Sequence, residues 1–205
     1  MVTIVLQALG VAMFLIGTVW LGRSVRGVEG ATPARHLSRV SHALFWVCLV
    51  LPGFGGLLSP GLRHYDELLG VPALPWRAAL TVIGSVVLAG GVGLTIGANR
   101  HLVRLGGGTA AFVLTERVVS EGVYRWSRNP MSLGFYMVCV GLGLVGGSTA
   151  VTVGALAIVA PVHMFNLRYF EEKELSRRFG ASYDAYRTRT PFLLPRFKQR
   201  TEIRS

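Results

Sequence analysis

Long apolar runs alternate with short basic segments along the chain. Five of these runs are almost free of Asp, Glu, Lys and Arg, and each approaches the length of about 20 residues with which a helix crosses a membrane. They predict membrane-spanning helices at residues 2–22, 43–59, 78–98, 131–147 and 148–170. The expected fold is an all-α integral membrane protein of five transmembrane helices, followed by a short cytoplasmic C-terminal helix.

The last two predicted spans are separated only by the turn-forming residues Gly146 to Thr149. This spacing predicts a tight helical hairpin, whose two ends face the same side of the membrane. Residues 100–130 and 166–192, which flank the hairpin, are then expected at one surface. No internal repeat divides the chain, so residues 1–205 are interpreted as one membrane domain.

Composition supports the membrane interpretation. Only 15% of the residues are charged, against about a quarter in soluble domains. A cleaved signal peptide is the alternative for residues 2–22, but no basic segment precedes this run and no clear small-residue cleavage site follows it. We therefore favour an uncleaved first span.

The basic residues fall on one side of the predicted topology. Of the 21 Lys and Arg residues, 19 lie in residues 23–42, in residues 99–130 or in the tail from residue 168 onward. This asymmetry predicts an outside N-terminus and a cytoplasmic C-terminal tail. The net charge of +11 comes without a nucleic-acid-binding motif, so membrane lipid is the expected partner and nucleic acid is not. The use of 19 Arg against 2 Lys indicates a GC-rich bacterial genome and hence the plasma membrane.

The first polar segment at the predicted cytoplasmic surface contains residues with helix-start and turn chemistry. Gly122 favours a turn, Pro130 suits the first turn of the fourth span, and Asn129 is placed to cap that span. Arg125 and Arg128 add positive charge near a helix start, which itself favours anions.

The second polar segment supplies carboxylates. Glu171 and Glu172 follow directly on the fifth span, and Arg168 precedes them by three and four residues, within pairing distance on a helix. Taken alone, this cluster is typical of a charged membrane boundary. Together with the first segment it predicts a pocket with a cationic wall and an anionic wall, formed by residues 100–130 and 166–192, which suits a zwitterionic ligand.

The stretch EGVYRWSRNPM is followed about forty residues later by RYFEEKEL, and then by FG, YDAY and TP. Together these motifs, which cover roughly residues 90–195, resemble the membrane-embedded methyltransferases of the isoprenylcysteine carboxyl methyltransferase and phospholipid methyltransferase superfamily. The resemblance implies S-adenosylmethionine as the methyl donor, bound on the cytoplasmic side, and a lipophilic acceptor that enters from the bilayer.

The resemblance assigns roles residue by residue. Arg128 and Glu172 are the expected catalytic residues. The expected cofactor-binding residues are Gly122, Tyr124, Arg128, Asn129, Pro130, Glu171 and Glu172. Arg168 also matches the second motif and is expected to contact the acceptor, whereas Phe179, Gly180, Tyr183 and Tyr186 are interpreted as packing of the tail helix. Two positions depart from the family pattern, Val123 where Pro is usual and Ser132 where Tyr is usual.

Polar residues inside the fifth span are the expected contacts with the acceptor. His163 and Asn166 lie one helical turn apart, just beyond Pro161, whose ring removes the hydrogen bond to the Ala157 carbonyl. Such residues either bond across helices or line a path, and both interpretations stay open.

The small and sulfur-containing residues inside the spans are interpreted as structural. Cys48 and Cys139 lie in apolar runs without metal-ligand spacing, so inert thiols and no metal site are expected. Gly90, Gly93 and Gly97 are interpreted as a helix-packing seam rather than as a cofactor-binding motif.

Two alternatives to a methyltransferase remain. Sterol reductases carry an R-x-P-x-Y type motif at a nicotinamide site, but the carboxylates of Glu171 and Glu172 would repel the 2′-phosphate of NADPH. A non-enzymatic membrane protein is the other alternative. The acceptor atom also stays open: a carboxylate acceptor needs no general base, whereas an amine or hydroxyl would need one, such as Glu171, Glu172, Tyr124 or His101.

Overall fold

The computed structural model describes residues 61–106 and 115–195, together with a few isolated positions among the first 47 residues. The spans predicted at residues 2–22 and 43–59 therefore lie outside the continuously described part of the chain. Within the described residues every regular element is helical, as predicted.

Seven α-helices follow one another in the described ranges. They are α1 His64–Leu69, α2 Arg77–His101, α3 Pro130–Gly146, α4 Thr149–Gly154, α5 Ala160–Asn166, α6 Glu172–Phe179 and α7 Ala181–Arg189. Wider π-helical turns at Leu102–Gly106, Ala155–Val159 and Leu167–Glu171 extend or join them, and Gly122–Arg125 forms a 3-10 turn.

Two helical stretches, Arg77–Gly106 and Thr149–Tyr169, are long and apolar enough to cross a membrane. The apolar helix α3 lies between them and has 17 residues. Large apolar side chains such as Val86 and Ile158 are more than half exposed on these helices. A helix that is apolar on its outer face is typical of a membrane span, which supports the predicted membrane protein.

Helices α2 and α3 pack along glycine contacts. A Cβ added at Gly91 would lie 2.7 Å from the Gly134 carbonyl oxygen, and one at Gly141 would lie 2.7 Å from the Leu88 nitrogen, both too close to exist. A glycine seam in the third span is therefore present. Of its predicted members, Gly90 faces α3, since an added Cβ there would lie 3.2 Å from Met137 Cε. Gly93 and Gly97 were wrong, because added Cβ atoms there would meet nothing within 4 Å in the described structure.

The chain stays helical through Pro161. The π-helical turn at Ala155–Val159 comes immediately before α5, which contains Pro161 at its start. Because a π-helical turn is wider than an α-helical one, the ring is accommodated where the hydrogen bond to Ala157 would otherwise run.

Helices α3 and α4 are joined at what we term the turn end of the molecule. Gly147 ends α3 with φ +66°, a conformation that favours glycine, and the Ser148 hydroxyl accepts a hydrogen bond from the Val151 N–H at the start of α4. The buried Asp66 carboxylate, from α1, accepts hydrogen bonds from the Ser148 hydroxyl at 3.0 Å and from the Ala150 N–H at 2.7 Å. Helix α1 is thereby fixed to the turn.

Candidate active site

Gly122 begins the 3-10 turn at the opposite end of α2 and α3. Its φ of +58° lies in the left-handed region, and the His101 ring occupies the space that a Cβ would fill. The Nδ1–H of His101 donates to the Gly97 carbonyl at 2.8 Å, which holds the ring in place. The predicted turn at Gly122 is present, and both its conformation and its neighbour require glycine.

The tail helix α7 packs on this turn through two buried tyrosines. The Tyr186 hydroxyl donates to the Tyr124 carbonyl at 2.7 Å. Burial, and then the Glu171 carboxylate, raise the pKa of Tyr124. Burial and then the neighbouring Tyr124 raise the pKa of Tyr186. Both phenols are therefore neutral at physiological pH, and Tyr186 acts as a hydrogen-bond donor that joins the tail to the turn.

Asn129 precedes α3 as predicted, but its side chain does not cap the helix. It makes no capping hydrogen bond; instead its Nδ2 donates to the Phe192 carbonyl at 2.9 Å. The backbone N–H of Arg128 donates to the Pro191 carbonyl at 2.9 Å. The expected cap was therefore wrong, because the Phe192 carbonyl of the returning tail holds the amide group through Nδ2, and Oδ1 makes no bond to the helix start. Pro130 occupies the first turn of α3, as predicted.

Arg128 and Glu172 form a buried ion pair. Their closest atoms, Nη2 and Oε1, lie 2.8 Å apart, and each side chain is about one-tenth exposed. The Arg128 Nη1 donates to the Arg187 carbonyl at 2.7 Å. The approach of the pair is close but poorly aligned, so Arg128 Nε and Glu172 Oε1 have no hydrogen-bond partner in the described structure. Such atoms are rare in buried positions, where strain, a functional role or a bound water or ion accounts for them.

The ion pair lies in the wall of a cavity of about 680 Å³. This volume is within the usual range for small-molecule sites. We call this cavity the cleft; its lining residues are Arg128, Arg168, Tyr169, Glu172, Lys173, Ser176, Arg177, Asp184 and Arg187. Five of these side chains are cationic and two are carboxylates, so the cleft contains both signs of charge with an excess of positive charge.

The two neighbouring glutamates take different positions. Glu172 is buried in the cleft, whereas Glu171 is exposed and is absent from the cleft lining. The π-helical turn Leu167–Glu171 changes the register before α6, so Glu172 pairs with Arg128 rather than with Arg168. Arg168 does line the cleft, with its guanidinium 5.7 Å from the Phe192 ring centre. The expected helical pairing of Arg168 with Glu172 was therefore wrong.

His163 bonds across helices. Its Nδ1 lies 3.1 Å from the Tyr136 hydroxyl of α3, and the two rings meet edge to face. Bonding across helices is one of the two roles that the sequence left open for His163. Contact of His163 with an acceptor stays a prediction. The side chain of Asn166 lies outside the described part of the structure.

Several lining residues were not predicted. The Ser176 hydroxyl of α6 donates to the Asp184 carboxylate of α7 at 3.0 Å, and Lys173 and Arg177 lie on the same side of α6. Lys173 and Arg177 are four residues apart in the sequence, and this spacing could have indicated that they share one side of a helix. No feature of the sequence indicated that the Phe192 ring would contact the guanidiniums of Arg128 and Arg168, because these contacts depend on how the tail returns.

Residues on either side of Arg128 line a second pocket, which is apolar. It has a volume of about 290 Å³. Its lining residues are Leu94, Val123, Trp126, Ser127, Pro130, Leu133 and Pro195. Leu94 and Leu133 belong to the apolar helices α2 and α3, so this pocket opens beside the membrane-facing helices. No group of three or more His, Cys, Asp or Glu within the described ranges is arranged to hold a metal ion.

The part of the chain that contains Arg128 and Glu172 matches a known family. The family model of phospholipid methyltransferases matches residues 79–182, which extend from α2 to the start of α7. Methanethiol S-methyltransferase 2 of Bradyrhizobium diazoefficiens is 34% identical over 86 residues. These residues make up 40% of this chain and 31% of that relative, so the match spans about a third of the relative's length.

Proposed function

Since the chain belongs to the phospholipid methyltransferase family, we propose that it transfers a methyl group from S-adenosylmethionine to a lipophilic acceptor that enters from the bilayer. The observation that carries this proposal is the buried Arg128–Glu172 pair in the wall of the cleft, in which Arg128 Nε and Glu172 Oε1 have no aligned hydrogen bond. The family match also favours a methyltransferase over the reductase alternative.

The Arg128–Glu172 pair fits the polar groups of S-adenosylmethionine. Its ammonium group and ribose hydroxyls are donors that suit Glu172 Oε1, and its carboxylate is an acceptor that suits Arg128. When bound, the cofactor supplies an electrophilic methyl group on a sulfonium. Arg128 and Glu172 bind and orient it, while Tyr186 and the tail hold the Gly122–Arg125 turn in place beside the pair.

The apolar pocket supports the proposal that the acceptor is lipophilic. Ser127 and Pro130 lie beside Arg128 in sequence and line this pocket together with Leu94 and Leu133. An apolar chain held there would place its polar end near the Arg128 segment. Methyl transfer is an in-line displacement, so holding the acceptor dry and aligned supplies much of the rate. The relative's name points to sulfur as one acceptor atom; a thiol, an amine or a carboxylate each fits this arrangement.

The proposal includes the membrane topology. We propose five spans, with the last two as a hairpin, the N-terminus outside, and the cleft at the cytoplasmic face of a bacterial plasma membrane. The positive-inside distribution of Lys and Arg supports this orientation.

Calorimetric binding to the full chain in detergent tests the proposed cofactor. We expect S-adenosylmethionine to bind and NADPH not to bind. The variant Glu172→Gln keeps the shape of the side chain but loses its charge, so its affinity for S-adenosylmethionine should fall by roughly 30-fold to 100-fold, about 2–3 kcal/mol for a charged hydrogen bond.

Glu171→Gln is the matched control, since it removes the same charge one residue earlier, outside the cleft lining. We expect it to change the affinity by less than about threefold, as for an exposed charge. NADPH binding without S-adenosylmethionine binding would refute the proposed activity. Equal losses in the two variants would instead refute the assignment of Glu172.

A further inference from the structure

Three of the four cationic side chains of the cleft that lie outside the Arg128–Glu172 pair form a row. They are Arg168, Lys173 and Arg177, which we call the cationic rim. All three are exposed at the mouth of the cleft. The row begins where the membrane-crossing stretch Thr149–Tyr169 ends, so it lies at the depth expected for lipid headgroups.

The rim follows one side of a continuous helical segment. Lys173 and Arg177 are four residues apart on α6, one α-helical turn. Arg168 precedes Lys173 by five residues across the π-helical turn Leu167–Glu171, whose hydrogen bonds join residues five apart. Each cation is thus about one turn from the next. Like charges at this spacing destabilise a helix slightly, and a bound negative charge would relieve that repulsion.

The described protein supplies little of that compensation. The guanidinium of Arg168 lies 5.7 Å from the Phe192 ring centre, and the Lys173 ammonium lies 5.6 Å from that of Tyr169. No carboxylate among the described side chains pairs with any of the three rim cations. Asp184, the second carboxylate of the cleft, is held by the Ser176 hydroxyl and lies 3.7 Å from Arg187.

We propose that the cationic rim binds the phosphate of an anionic lipid headgroup. Arg guanidinium groups match phosphate oxygens in a fork geometry, and an ammonium adds a point charge. The concave cleft gives the three cations a common side on which one phosphate can be reached. Anionic lipids are concentrated at the cytoplasmic leaflet, where basic residues next to a span attract them. This site does not depend on the methyl-transfer proposal, because the rim binds without Glu172.

Native mass spectrometry of the detergent-purified full chain tests the site. The protein is mixed with equal amounts of phosphatidylglycerol, which is anionic, and phosphatidylcholine, which is zwitterionic. We expect the wild-type chain to retain one phosphatidylglycerol in preference. Retention should weaken about fivefold in Arg177→Gln and roughly 30-fold in Lys173→Gln/Arg177→Gln, as expected for one and two cations near anionic lipid.

Arg189→Gln is the matched control. Arg189 is an exposed cation of α7 outside the cleft lining, and its Nε donates to the Ala185 carbonyl of its own helix. We expect it to change lipid retention by less than twofold, and Glu172→Gln to retain the lipid. Equal weakening in Arg189→Gln and Arg177→Gln would overturn the proposal in favour of general surface attraction. Displacement of all bound phosphatidylglycerol by millimolar inorganic phosphate, with thermal stabilisation by phosphate alone, would overturn the lipid assignment in favour of a soluble phosphate.

Discussion

Two buried carboxylates lie at opposite ends of the helices α2 and α3, and they differ in the hydrogen bonds that the protein donates to them. Asp66, at the turn end, is 3% exposed and accepts hydrogen bonds from one hydroxyl and two backbone N–H groups at 2.7–3.3 Å. Glu172, at the cleft, is 7% exposed and faces Arg128, but its Oε1 has no aligned hydrogen bond in the described structure.

The difference separates a structural carboxylate from the one that we propose binds a ligand. The donors around Asp66 include the first N–H groups of α4, which a helix start leaves free, so its burial is compensated by the protein itself. Glu172 is compensated in part by a cation and lines a cleft. Burial is common to both carboxylates, so the proposal for Glu172 depends on its unsatisfied hydrogen bonds and on the adjoining cavity.

The strongest test of this comparison replaces the cleft pair with apolar residues of similar size. In Arg128→Met/Glu172→Leu we expect the affinity for S-adenosylmethionine to fall by at least 100-fold, while the unfolding free energy changes by less than about 1 kcal/mol, because removing both partners leaves no buried charge. Calorimetry and thermal unfolding in detergent measure the two quantities. A large loss of stability with intact cofactor affinity would reverse the assignment of Glu172 as the ligand-binding carboxylate.

The next test removes the carboxylate at the turn end. Asp66→Ala leaves the Ser148 hydroxyl and two helix-start N–H groups without their acceptor, so we expect a loss of about 3 kcal/mol of stability. The affinity of the folded protein for S-adenosylmethionine should be unchanged. Thermal unfolding and calorimetry measure these effects.

Glu67→Ala is the control for Asp66, since it removes a neighbouring carboxylate whose side chain is 76% exposed. Its effect on stability should stay within about 0.5 kcal/mol. If Asp66→Ala is as mild as this control, the hydrogen bonds at the turn end contribute little to stability.

Several parts of the molecule could be predicted from the sequence. The apolar runs predicted α2, α3 and the helical stretch after Ser148 nearly to their boundaries, because a membrane span is defined by length and composition. The short return at Gly146 to Thr149 was enough to bring Arg128 and Glu172 to one surface. These features depend on local pattern.

The features that were missed depend on register and on long-range contacts. The π-helical turn at Leu167–Glu171, which separates Arg168 from Glu172, has no distinctive residue in its sequence. The bond from Asn129 to Phe192 joins residues 63 positions apart, and the bond from Ser148 to Asp66 joins residues 82 apart. Neither partner carries a motif that announces the contact, so only the folded chain shows why Asn129 is not a cap and why Asp66 is buried.

Removing the hydrogen bond that joins the tail to the turn beside the cleft should have a smaller effect on stability. Tyr186→Phe removes the donor to the Tyr124 carbonyl and should cost about 1 kcal/mol of stability, with cofactor affinity reduced only a few-fold. Tyr183→Phe is the control, because the Tyr183 hydroxyl makes no hydrogen bond in the described ranges and the ring is equally buried. A loss of similar size in both variants would indicate packing rather than the hydrogen bond.

The phenols of Tyr124, Tyr183 and Tyr186 are neutral at neutral pH, so their ionisation affects the stability of the fold only at alkaline pH. Burial is the main cause that raises the pKa of Tyr124, Tyr183 and Tyr186 above the value of about 10 that they have in the unfolded chain. Above pH 10 the unfolded chain therefore releases protons that the folded chain retains, so stability is full below pH 10 and falls as the pH rises toward the folded pKa values. Thermal unfolding between pH 8 and 11 should show this fall beginning near pH 10, and Tyr186→Phe should make it shallower. A melting temperature that is independent of pH over this range would contradict the burial of the three phenols and, with it, the docking of the tail on the Gly122–Arg125 turn.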